Sequence, residues 1–113
     1  MKTSEFKLKV VGGINNLIDD YFGSNNISDK FINSTLKILV KQNTHKFDNI
    51  LELFADEKGE IDTQEMINEY SNLIGEQGLV FDIKQYIKSD FIKNMMPNKV
   101  LIIKKDDIIN MLT

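Results

Sequence analysis

The sequence predicts a mainly α protein of five to six short helices with a small two- or three-stranded β element, in one compact domain spanning residues 1–113. Three observations lead there. Apolar residues recur at three- and four-residue intervals through most of the chain, the spacing that lines one face of a helix. Punctuation is sparse, with one proline and six glycines and no Pro/Gly/Ser-rich linker or internal repeat to divide the chain. A single run, residues 99–104, is a short apolar block rich in β-branched side chains, as a strand requires.

The first helix is expected over residues 5–22, where Phe6, Val10, Ile14, Leu17 and Tyr21 share a face. A strand at 6–10 competes, because those residues also alternate and Gly12-Gly13 costs a helix interior about 1 kcal/mol per glycine. Gly23 is the expected end of the helix. Ser28 is then a suitable N-cap for a helix through 41 that buries Phe31, Ile32, Leu36, Leu39 and Val40. Asn43 reads as a second cap, so the sequence predicts a turn at 42–44 and a separate helix to 54 burying Phe47, Ile50, Leu51 and Phe54.

Asp62 and Glu65 form a capping-box pattern that opens a helix burying Met66, Ile67, Tyr70, Leu73 and Ile74 and ending at Gly75. Residues 79–81 are a short extended candidate. Asp82 caps a helix over Ile83, Tyr86, Ile87, Phe91 and Ile92, with a break expected at Ser89, and Met95-Met96-Pro97 ends it. The strand at 99–104 needs backbone partners, and residues 60–62 and 79–81 are the candidates. Asp106 is the expected cap of a last helix with Ile108, Ile109, Met111 and Leu112 inward.

Composition excludes several chemistries. Cysteine is absent, so there is no disulfide framework and no thiolate. No signal-peptide core and no run approaching the roughly 18 apolar residues of a membrane span is present. A cytoplasmic location without membrane association is therefore expected. All 14 basic residues are lysine, so no guanidinium fork is available for bidentate recognition of guanine or phosphate, and the net charge of −3 opposes approach to a polyanion. The abundance of isoleucine, asparagine and lysine matches AT-rich codons, which suggests a low-GC bacterium or a phage or other mobile element resident in one.

The most distinctive stretch is residues 51–70. An apolar helix end runs into an acidic turn at Gly59, followed by Ile61 and a helix opening at Asp62. This order resembles an EF-hand, and with Glu65 as the twelfth loop position, Ile61 falls at the eighth and Gly59 at the sixth. The ligands then fail. Asp56, Asp62 and Glu65 are the candidate metal-binding oxygens, but Phe54 stands at the first position and Lys58 at the fifth. The turn is a degenerate EF-hand-like one, explained without an ion if Gly59 permits the turn, Ile61 anchors it and Asp62 caps the helix.

No catalytic constellation is legible, and neither a cofactor nor an enzymatic activity is expected. His45 is the only histidine, placed away from Phe47 and Ile50 with no assignable serine or carboxylate to orient it. Gly12-Gly13 lacks the spacing of a phosphate loop, but Gly13 lies near the apolar stripe, where it would let another helix approach closely. Asp19-Asp20 and Asp106-Asp107 fit an exposed face and a helix N-terminus. The predicted helix pair within 28–54 imitates a helix-turn-helix, making a nucleic-acid-binding regulator the alternative function. Its exposed start offers one lysine among acids, so nucleic acid is the disfavoured partner.

The apolar concentration most apt to exceed what a small core absorbs comprises Phe91, Met95, Met96, Val100 and Ile102. Methionine adapts to irregular partners, and a strand edge accepts another chain. The expected function is that of a non-catalytic accessory or regulatory domain acting through protein–protein contacts here, with a partner protein or a second copy in a homodimer.

Overall fold

The computed structural model describes residues 1–86, 88–95 and 100–112. Ile87, Met96, Pro97, Asn98, Lys99 and Thr113 lie outside the described residues, as do the side chains of Ile50, Ile74, Phe81, Ile83, Tyr86, Ile92 and Met95. The chain is mostly helical with one small antiparallel sheet. Its elements are α1 (Thr3–Tyr21), α2 (Ile27–Phe54), α3 (Thr63–Ile74), β1 (Leu79–Phe81), a 3₁₀ turn (Ile83–Tyr86), α4 (Asp90–Met95), β2 (Leu101–Ile103) and α5 (Lys105–Leu112).

The periodic apolar face of residues 6–21 wins over the competing strand pattern, and α1 runs through both glycines. α1 and α2 form an antiparallel hairpin. At one end Asn33 and Lys37 of α2 reach Asp19 of α1; at the other, the Phe6 and Phe47 rings stack with centroids 6.2 Å apart. Lys7 meets Asp48 at 2.8 Å beside them.

α2 corrects the expectation of two short helices. It is one helix of 28 residues, about 42 Å at 1.5 Å per residue, and it accounts for most of the 48 Å long dimension. Asn43 and Thr44 do not interrupt it. Asn43 Nδ2 donates to the Leu39 carbonyl at 2.7 Å and Thr44 Oγ1 to the Lys41 carbonyl at 2.9 Å. Each cap-type side chain thus bonds back into the preceding turn, leaving the backbone ladder intact. The turn required by the helix-turn-helix reading is absent.

Capping differs in detail from expectation at three ends. Asn26, not Ser28, caps α2, its Oδ1 accepting the Asp29 N–H at 2.7 Å. Phe22 is the C-cap of α1, so Gly23 stands at C′ as expected but does not take a left-handed backbone there. At α5 it is Asp107, not Asp106, whose carboxylate accepts the Lys104 N–H at 2.8 Å. Two expected signals hold at α3. Asp62 Oδ1 accepts the N–H groups of Gln64 and Glu65, and Gly75 ends the helix at φ +63°. The segment after Asp82 breaks as expected and restarts at Ser89, whose carbonyl accepts the Lys93 N–H at 3.0 Å, but its first part is a 3₁₀ turn and its second a helix of six residues.

The core consists of two clusters strung along α1. Ile18 and Phe22 pack with Ile32, Leu36 and Leu101; Phe6 and Val10 pack with Leu51, Ile61, Ile67 and Leu112. Ile14 touches both. The α1 helix is thus the spine onto which the rest of the chain folds. Phe31, Phe54 and Leu73, expected inside, are exposed.

Candidate interaction surface

β1 and β2 pair antiparallel with Leu79 opposite Ile103, Val80 opposite Ile102 and Phe81 opposite Leu101. The 79–81 segment is therefore the partner of the C-terminal strand. Residues 60–62 pair elsewhere, through a bridge between Lys2 and Glu60. Side chains alternate across a strand, and β2 shows it: Leu101 and Ile103 are buried, with the half-exposed Ile102 between them. Tyr70 holds this strand from α3, its hydroxyl donating to the Ile103 carbonyl at 3.1 Å. Burial, with the Asp107 carboxylate adding to it, pushes the Tyr70 phenol up to about 12.

Register puts Val80 on the outward face with Ile102, and alternation adds Val100. Val80 is 52% exposed and Val100 37%, so no described element covers them. Phe91, on α4, is 75% exposed. Of the five residues the sequence singles out for contact, Val100 and Ile102 share this outward sheet face and Phe91 is exposed on α4. Met96 and the Met95 side chain lie outside the described residues. Val80 escapes sequence reasoning because its orientation is fixed by its register with β2, and that register is not written in a three-residue strand.

The acidic turn is built differently from a cation site. Asp56 Oδ1 accepts the N–H groups of Lys58 and Glu60, both at 2.9 Å, so the carboxylate is turned onto its own loop. Gly59 occupies φ +76°, which suits glycine. Ile61 is buried in the α1 cluster and its N–H donates to the Met1 carbonyl at 2.7 Å. Asp62 Oδ1 is taken by the start of α3, and Glu65 is exposed. Among the described residues no three His, Cys, Asp or Glu side chains gather as a metal site.

A second polar constellation joins α1 to α2. Asn33 Nδ2 donates to Asp19 Oδ1 at 2.9 Å and also to the Phe22 carbonyl at 3.2 Å. Lys37 Nζ meets the same Asp19 oxygen at 2.6 Å. The Asn33 hydrogen bond and the Lys37 ammonium hold the Asp19 carboxyl below the usual carboxylate range. This constellation ties two helices together.

His45 is exposed on α2. A groove of about 330 Å³ lies between the start of α1 and the end of α2, lined by Thr3, Ser4, Lys7, Asp48, Leu51 and Glu52. Its lysine is engaged by Asp48, and its two hydroxyls have no histidine among the lining residues to activate them. No protein-family model, curated protein or solved structure matches the chain. No helix among the described residues is long and apolar enough to cross a membrane.

Proposed function

We propose that this protein is a non-catalytic domain that works by holding another protein against the outward face of its small sheet. The observation that carries this reading, among the described residues, is the outward cross-strand pair of exposed Val80 and half-buried Ile102, extended by the exposed Val100. An outward apolar sheet face whose strands have no further strand partner among the described residues is suited to a partner chain. Phe91 adds an exposed aromatic ring, the residue type enriched where binding energy concentrates. The polar groups support the same reading: those with described bonds cap helices, close turns, bond within their own helix or tie one element to another. The composition supports an accessory or regulatory role in a low-GC bacterium or one of its mobile elements.

The test is a comparison of folded variants. Val80→Lys and Ile102→Lys should keep the helical circular-dichroism spectrum of the parent. In parallel pull-downs from the native host, quantified by mass spectrometry, both should lose a protein that the parent retains. Identical captured sets for parent and variants would remove the sheet face from consideration, as would unfolding of the domain by Val80→Lys.

A further inference from the structure

Two helix faces away from the sheet match one another. On the outer side of α2, Ile27, Phe31 and Ile38 lie within one stripe at helical spacing, Ile27 being 82% exposed. Lys30 and Lys41 flank that stripe. No acid occurs in α2 between Asp29 and Asp48; Asp29 is buried, accepting the Ser24 hydroxyl, and Asp48 is engaged by Lys7. Lys37 is held by Asp19, but Lys30 and Lys41 have no carboxylate within 4 Å among the described residues.

The outer side of α3 is the chemical opposite. Glu65 and Glu69 run down it to Leu73, which is 84% exposed, and Glu76 follows just past the helix end. None of the three glutamates has an ammonium group within 4 Å among the described residues. The intervals also agree: Lys30, Ile38 and Lys41 are spaced by eight and then three residues, and so are Glu65, Leu73 and Glu76. Eight helical residues cover about 12 Å. An α3 laid parallel to α2 of another copy therefore brings Leu73 to Ile38 while Glu65 reaches Lys30, with Glu76 on the side of Lys41.

We propose that the protein self-associates head to tail, the α3 face of one copy seated on the α2 face of the next. Charge complementarity selects this occupant. Pairing α2 with α2 would set lysines against lysines, and pairing α3 with α3 would set glutamates against glutamates. A heterologous contact leaves one face free on each terminal copy, so growth continues until a ring closes or the concentration falls. The patch is one helix face wide, which makes the contact weak and salt-sensitive. It shares no residue with the sheet face, so the two readings stand or fall separately.

Sedimentation velocity on the full chain tests it with two charge-reversed variants. The parent should gain mass with concentration at low salt and lose that gain at high salt. Lys30→Glu/Lys41→Glu and Glu65→Lys/Glu76→Lys should each stay monomeric. Their equimolar mixture should regain salt-sensitive association, because the acidic α3 face of the first variant meets the basic α2 face of the second and the two reversed faces complement each other in turn. Val80→Lys should self-associate like the parent. A parent that remains monomeric at every concentration, single variants that associate as the parent does, or a mixture that stays monomeric would each overturn the proposal.

Discussion

Gly13 of α1 lies directly under Met111 of α5, whose side chain fills the space a Cβ would need. The neighbouring Gly12 faces open space. The two glycines are adjacent in one helix, so they share the backbone cost of glycine but differ in surroundings. Gly12→Ala should raise stability by about 0.5–1 kcal/mol through helix propensity. Gly13→Ala should lower it by about 1–3 kcal/mol, because the overlap with Met111 exceeds that gain. Urea midpoints measure both. Adding Met111→Ala to Gly13→Ala should cost less than the two single changes together; strict additivity would sink the packing account.

Asp19, Asn33 and Lys37 act as a latch that depends on charge. The folded-state pKa of Asp19 is lowered, so the ionised form is favoured by folding and the latch contributes stability above the ordinary carboxylate range. The contribution is lost as pH falls through the depressed folded value. Asp19→Ala should thus be less stable than the parent near neutrality, and the two should converge in strong acid. Chemical denaturation across acidic pH reads this directly, and a difference that persists at the lowest pH would contradict the latch.

The register of the sheet makes a contrast between neighbouring side chains. Leu101 sits in the core with Ile18, Phe22, Ile32 and Leu36, while Val80 points outward. Leu101→Ala should cost about 2–4 kcal/mol, the range for emptying a buried leucine site. Val80→Ala should stay within about 0.5 kcal/mol of the parent, as exposed substitutions do. Similar losses at the two sites would mean that the register is wrong.

Asp56 closes its own loop, and calcium should therefore do nothing. Asp56→Ala should destabilise by about 0.5–2 kcal/mol, comparable to losing a helix cap that satisfies backbone N–H groups in the same way. Thermal melting with calcium in excess should match melting with a chelator. A cation at 100 times its Kd would add about 2.7 kcal/mol and shift the transition visibly.

Those expectations also mark where the sequence was legible. Periodicity located α1 and α3, and the glycine at 13 announced a close helix contact, because both signals are local and steric. The two-helix reading of 28–54 failed for a physical reason: Asn43 and Thr44 have side chains suited to capping, yet the same groups can bond back to Leu39 and Lys41. With no glycine or proline inside the segment, the intact helix costs less than the break. Burial was legible only in part. Phe31 and Leu73 fit an apolar pattern, but a helix packed on one side only leaves part of its stripe outside. Of the interaction surface, Val100 and Ile102 follow from strand alternation, whereas Val80 depends on a pairing set by distant contacts.

Tyr70 fixes β2 to α3, and its titration supplies an alkaline signature. The hydroxyl donates to the Ile103 carbonyl, and only the protonated phenol can do so. Burial, reinforced by Asp107, raises its folded pKa to about 12 from 10.0. A raised folded pKa means stability that is complete below the unfolded value and lost as pH rises through the folded one. The parent should therefore weaken between about pH 10 and 12. Tyr70→Phe should be less stable at neutral pH by about 1 kcal/mol, the net worth of one hydrogen bond. It should also lose the part of the alkaline slope that Tyr70 contributes. Phenolate absorbance of the folded protein checks the same point: a late ionisation step should be present in the parent and vanish in Tyr70→Phe. If Tyr70→Phe leaves both the slope and the late step unchanged, the strand is not held by this bond.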